Sequence, residues 1–251
     1  MSVQRRESPA HDYPGHECPG HECPALDRAL ARRLAGCVRS EPWLLRALDA
    51  VAASGLPDAW IGAGVIRDVV WGQACDGFDP AAVRDIDVAF FDPGNLSRQR
   101  DQDAQQILEG LAELPWEATN QAAVHTWYHR YFGGPPVPAF SCVHDAVATW
   151  PETATCVAIR KAPGGIEICA PHGLTDLMSK TWRQNPVRVS IDVSRARLAR
   201  HRERWPDIAV VPLAMAERPG RRPPLRPPGH ATGQGDHGPS AAASRPGPAR
   251  S

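Results

Sequence analysis

Apolar positions along this chain recur in two periods, and the period switches several times. Residues 43–53 place Trp43, Leu44, Ala47, Leu48, Ala50 and Val51 at helical spacing. Pro42 lies early in that segment and Ser40 is the candidate N-cap. Residues 26–34 share the spacing. From Val83 to Phe91 the pattern changes to near-alternation, with Asp85 and Asp87 set between Ile86 and Val88, which predicts a strand. The remaining pattern predicts a short strand at 59–61, helices at 65–71, 102–111 and 121–131, and a strand at 117–119. A short helix follows at 143–148. Strands at 154–160 and 166–169 flank Pro163-Gly164-Gly165 as a hairpin, and helices close the pattern at 174–179 and 194–204. Strands alternating with helices and ending in a hairpin predict an α/β (α+β) fold, a mixed sheet with helices packed on it.

The periodicity stops at both ends. Residues 1–24 are rich in Pro, Gly, His and Glu and predict a disordered extension. They hold a tandem Pro-Gly-His-Glu-Cys, ending at Cys18 and Cys23. Its two His-x-Cys units offer four soft ligands to zinc, although structural zinc sites favour wider cysteine spacing; a slipped repeat is the alternative reading. Residues 213–251 are Pro, Gly, Arg, Ser and Ala, a disordered tail that buries too little apolar surface to fold. The predicted folded unit is 25–212. The 28 basic and 28 acidic residues cancel, so bulk charge selects no partner. There is no apolar run long enough to span a membrane and no signal-peptide core. Seven scattered cysteines fit reduced thiols, and the expected location is the cytoplasm.

Candidate chemistry is concentrated in two stretches. Gly62-Ala63-Gly64 is a small-residue turn at the start of a predicted helix, where backbone N–H groups approach a phosphate. Asp85 and Asp87 then share one face of the next strand. Two neighbouring carboxylates repel each other, and a Mg²⁺ (or Mn²⁺) shared with substrate phosphates relieves that repulsion. Together the two stretches predict a metal-dependent site for phosphate chemistry, against the plainer reading of a solvent-facing Asp-x-Asp at a strand end.

The order Trp60 to Arg67, Asp85 to Asp92, Asn120-Gln121-Ala122, Trp150 to Thr155 and Ala170 to Leu177 resembles successive blocks of a bacterial nucleotidyltransferase family. That family lies within the DNA polymerase β-like superfamily and was long catalogued as a domain of unknown function. The resemblance covers roughly residues 40–212. It implies transfer of a nucleoside monophosphate from an NTP to an unidentified acceptor, whether small molecule, RNA or protein. It also implies two metal ions bound by Asp85, Asp87 and a third acid on a neighbouring strand. Glu167 is the candidate, because it faces away from Ile166 and Ile168 and so onto the same open face. Asp92, Asp145, Glu152 and Asp176 are its competitors. Gly62, Gly64 and Arg67 are expected on the phosphate side, with Arg67 alternatively a structural partner of Asp85 or Asp87. The family position of Asn120 and Gln121 implies nucleotide contact; capping by Asn120 and packing of His125 are the alternatives. Trp150, Trp182 and Trp205 are expected either in the core or stacked on a base.

Three local departures favour a second class of function, a degenerate module that binds nucleotide or a partner without turnover. They are Ala63, Asp68 and Gly72, and Asp68 adds negative charge beside the presumed phosphate loop. Gly64 to Gly72 also resembles the signature of tRNA CCA-adding enzymes and poly(A) polymerases, a lesser alternative. Nucleic-acid contact is expected, if anywhere, through the tail and the arginine-rich segment 194–204, which otherwise is a solvated face.

Overall fold

The computed structural model describes residues 27–75, 78–132 and 136–212. The predicted extension 1–24, its His-Glu-Cys repeat and the tail 213–251 lie outside them. In chain order, α1 (Arg28–Arg39) and α2 (Pro42–Ala53) lead into β1 (Trp60–Gly62), α3 (Gly64–Gln73), β2 (Ile86–Phe90), α4 (Arg98–Leu111) and β3 (Trp116–Asn120). Then come α5 (Val124–Phe132), α6 (Val143–Val147), β4 (Ala158–Ala162), β5 (Gly165–Cys169), α7 (Thr175–Met178), β6 (Thr181–Trp182), α8 (Ile191–Arg204) and β7 (Ala209–Val210).

The five longer strands form one mixed sheet in the order β3-β2-β1-β4-β5. β2 and β3 run parallel and the other pairs antiparallel. Strand alternation divides the sheet into two chemically different faces. Ile61, Ile86, Val88, Phe90, Trp116, Ala118 and Ile159 point into the main core, where they meet apolar residues of α1, α2, α3, α4 and α7. Trp60, Ala89, Phe91, Ala158 and Cys169 belong to a smaller cluster on the opposite face, covered by Val143 and Val147 of α6 and by Trp150. The second face is only partly covered, and that leaves room beside Asp85 and Asp87. No helix among the described residues is long and apolar enough to cross a membrane.

Several boundaries differ from the sequence pattern for identifiable reasons. Ser40 does not cap α2. It closes α1, its backbone N–H bonded to Gly36 and its hydroxyl to the Cys37 carbonyl at 2.8 Å, so Glu41 opens α2 without a side-chain cap. The strand expected at 154–160 begins only at Ala158. Before it, residues Thr153–Thr155 form a 3₁₀ turn in which the Thr155 hydroxyl donates to the Glu152 carbonyl. The pair β6 and β7 was invisible to periodicity, because two-residue strands have no period.

Candidate functional site

The turn between β1 and α3 is built by close contact. A Cβ on Gly62 would lie 2.6 Å from Cη2 of Trp150 and 3.0 Å from the Val157 carbonyl. Only glycine lets the Trp150 ring close over this strand end. Gly62→Ala should displace the ring and lower stability by about 1–3 kcal/mol, the usual effect of overpacking, seen as a lower melting temperature. Ala63 adopts φ 58°, ψ −126°, a backbone conformation that favours glycine. Ala63→Gly should therefore raise stability by about 1 kcal/mol; an unchanged or lower melting temperature would count against strain at this turn. α3 starts immediately after, so its N-terminus borders the cleft at Gly64, whose backbone N–H is directed at the Asp87 carboxyl.

The cleft, about 410 Å³, is lined by the acids Asp85, Asp87 and Glu117 together with the basic residues Arg67, Arg197, Arg200 and His201. Glu117 is the acid that the sequence pattern missed. Asp87 and Glu117 are direct partners in the parallel β2–β3 register, so they share a face. Burial, then Asp85, then Glu117 push the Asp87 carboxyl up to about 7, against the Gly64 backbone N–H and Arg67, which lower it. The only sequence signal for Glu117 was its place between the inward-facing Trp116 and Ala118.

Glu167 lies elsewhere. The argument for its face holds, since Cys169, two residues on, belongs to the same second-face cluster as Ala89. The argument for its neighbour does not: β1 and β4 stand between β5 and β2. The Glu167 carboxylate accepts from Arg160 Nε at 2.7 Å, and Arg160 also holds Asp58 at 2.8 Å, in a separate recess. The competitors are likewise engaged: Asp92 with Arg100, Asp176 with Arg183 and Thr153, and Asp145 with Ser141.

The basic residues of the cleft are held by a network of buried charge. Glu152 is 1% exposed and accepts from Arg197 Nε at 2.5 Å and Nη2 at 3.0 Å, with His201 Nε2 at 3.7 Å. Burial pushes its carboxyl up, but nearby His201 and the two Arg197 hydrogen bonds outweigh burial and bring it down to about 2. Arg67 does not pair with Asp85 or Asp87. Its Nη2 and Nε donate to Asp68 at 2.6 and 2.8 Å, and its guanidinium lies over the Trp71 and Trp205 rings. Arg204 also donates to Asp68, at 2.5 Å. The negative charge expected to disturb the phosphate loop is thus neutralised, and Asp68 ties α3 to α8. The helix α8 is not simply a solvated face: Arg197, Arg200 and His201 border the cleft. Arg200 has no ion-pair partner among the described residues.

Asn120 is fully buried with its side chain saturated: it accepts from the N–H groups of Asp92 and Ala122 and donates to the carbonyls of Asp92 and Asn95. It is the clasp that caps the turn before α5, and it does not line the cleft. Gln121 does. His125 does not border the cleft. Of the three tryptophans, Trp150 lines the cleft, whereas Trp182 and Trp205 lie in the main core. Gly62 acts by admitting Trp150, and Gly64 borders the cleft directly.

A family model described as a nucleotidyltransferase matches residues 49–210. Among solved structures, an NMR structure described as revealing a CCA-adding enzyme head domain is similar, with a TM-score of 0.60 and 26% identity, over 72% of this chain and 96% of that one. A complex of CCA-adding enzyme with ATP aligns at a TM-score of 0.41 and 12% identity, over 74% of this chain and 41% of that one. No curated protein matches the sequence.

Proposed function

Because this chain belongs to that nucleotidyltransferase family, we propose that it is a Mg²⁺-dependent enzyme that moves a nucleoside monophosphate from an NTP to an acceptor. The observation that carries this reading is the meeting, in one cleft, of Asp85, Asp87 and Glu117 with the start of α3 and the arginines of α8. The residues fit a divalent ion. No three His, Cys, Asp or Glu side chains among the described residues are gathered closely enough to enclose one. Mg²⁺ needs no such cage, since it keeps waters and is held by one or two carboxylates plus substrate phosphates. Asp87, raised first by burial and then by Asp85 and Glu117, is a donor whose charged form an ion stabilises. Mn²⁺ fits the same oxygen donors.

Asp85 and Asp87 would hold the ion, with Glu117 beside them. When bound, such ions stabilise the attacking and leaving oxygens of an in-line displacement at phosphorus. The N-terminus of α3, with the positive end of its helix dipole at the cleft, favours phosphate there. Arg200, with no ion-pair partner among the described residues, attracts the triphosphate, and Arg197 is kept in place by Glu152. Glu117 is exposed at the cleft, where its carboxylate can take the proton of the acceptor hydroxyl. Trp150 borders the cleft where it can pack against the base.

The strained Ala63 favours one rival, a module that binds nucleotide without turnover. Calorimetry with a non-hydrolysable NTP tests the shared premise. Binding should require Mg²⁺ and be lost in Asp85→Asn. Equal binding in Mg²⁺ and in chelator would remove the metal from the account. Pyrophosphate release from a true NTP separates the enzyme from the rival module.

A further inference from the structure

The end of α5 presents four aromatic side chains that the transfer chemistry leaves unused. Tyr131 is 64% and Phe132 68% exposed, a costly arrangement for two large rings facing water. They join Trp127 and Tyr128 in one cluster, with centroid separations of 4.8 Å for Tyr128 and Phe132 and 6.2 Å for Trp127 and Tyr131. Arginines edge the cluster. Arg98 stacks over Tyr131 at 5.1 Å, and its Nη1 donates to the Tyr131 hydroxyl at 2.8 Å. Arg188 lies between the rings of Tyr128 and Phe140, at 4.7 and 4.9 Å. Its Nε and Nη2 are buried and have no hydrogen-bond partner among the described residues. Arg188 thus braces the Tyr128 ring from beneath and is enclosed by the protein. α5 itself contains no acidic residue.

We propose that this aromatic end of α5 is a platform for a single-stranded polynucleotide that serves as the acceptor. Bases stack on Tyr131 and Phe132, and the exposed Arg98 holds a backbone phosphate. One short helix joins the platform to the cleft: Gln121, in the turn directly before α5, lines the cleft, and the platform is the other end of α5. The chain's own tail does not suit the site. Residues 213–251 carry Arg218, Arg221, Arg222, Arg226, Arg245 and Arg250 against Glu217 and Asp236, and the flanking arginines repel that excess. The acceptor role rests on the transferase reading; the binding does not. In the transfer, the terminal hydroxyl oxygen of the strand bonds to the α-phosphorus, the bond from that phosphorus to the bridging oxygen breaks, and pyrophosphate leaves. The hydroxyl proton passes to Glu117.

The test is fluorescence anisotropy of short labelled single-stranded RNA and DNA oligonucleotides with the full chain, in chelator and without NTP. At least one of the two should bind, more weakly as salt rises. Tyr131→Ala/Phe132→Ala should weaken binding roughly tenfold or more, with no loss of melting temperature, because both rings are exposed. Arg98→Gln should weaken binding and flatten its salt dependence. Absence of binding at low salt overturns the proposal. So does equal affinity of parent and double variant, or equal affinity for duplex and single strand. If the oligonucleotide binds but accepts no label while another acceptor does, its role as acceptor is overturned. Failure of the transferase reading shows differently, as no pyrophosphate release with any acceptor, and leaves the binding measurement standing.

Discussion

Asp87→Asn is expected to lower nucleotidyl transfer by roughly 10³-fold or more, because charge stabilisation by a bound metal is worth several kcal/mol in the transition state. The same change should make the protein more stable in chelator. The Asp87 carboxyl sits at about 7 in the fold against an ordinary value near 3.8. Between those values the folded state keeps a proton that the unfolded chain has released, so this group's contribution falls as pH rises from about 4 to about 7. The stabilisation by Asp87→Asn should be full above pH 7, by about 2–4 °C for each kcal/mol recovered, and vanish near pH 4. Mg²⁺ should raise the melting temperature of the parent, most of all above pH 7, and leave the variant unmoved. A variant less stable than the parent in chelator at pH 8 would show that the acids do not strain the metal-free fold.

Glu152→Ala should cause the largest loss of stability. It leaves the half-buried guanidinium of Arg197 without its two hydrogen bonds, and breaking a buried pair by removing one partner costs about 3–5 kcal/mol. Arg197 keeps 30% of its side chain exposed, so the lower end of that range applies, or about 6–12 °C in melting temperature. Glu152→Gln, which keeps an acceptor, should lose less. The pH dependence has the sign of a depressed carboxyl. Glu152 sits at about 2 against an ordinary value near 4.5, so its contribution is complete above about pH 4.5 and disappears as pH falls towards 2. The parent should lose its advantage over Glu152→Gln in that window. Equal melting temperatures of parent and Glu152→Ala at neutral pH would contradict the network. NTP affinity should fall in both variants, since Glu152 holds Arg197 against the cleft.

How much of this was legible in the sequence depended on whether the signal was local. The shared face of Asp85 and Asp87 follows from strand alternation within three residues, and the glycine turn announces itself in the same way. The third acid was not local. Alternation correctly placed Glu167 on the open face, but nothing in the chain says that β5 lies at the far edge of the sheet while β3 lies beside β2. The identity of a strand's neighbour is set by packing of the whole sheet, and Glu117 became visible only through its register with Asp87. Charge partners show the same limit. Asp68 looked like an intrusion beside the phosphate loop because Arg204 is 136 positions away in the chain. Glu152 looked like a competing acid because Arg197, on α8, is 45 positions away. Asn120 was legible as a cap, and its other three hydrogen bonds, reaching to Asp92 and Asn95, were not.

The central claim is that Asp85 and Asp87 serve nucleotidyl transfer. The most direct measurement uses NTPs labelled at the α-phosphate, Mg²⁺ and cell extract as the source of acceptor, comparing the parent with Asp85→Asn/Asp87→Asn. The account predicts label on an acceptor together with released pyrophosphate for the parent, and neither for the double variant. Label transfer at the same rate by both proteins, or none by the parent with any NTP, would contradict it.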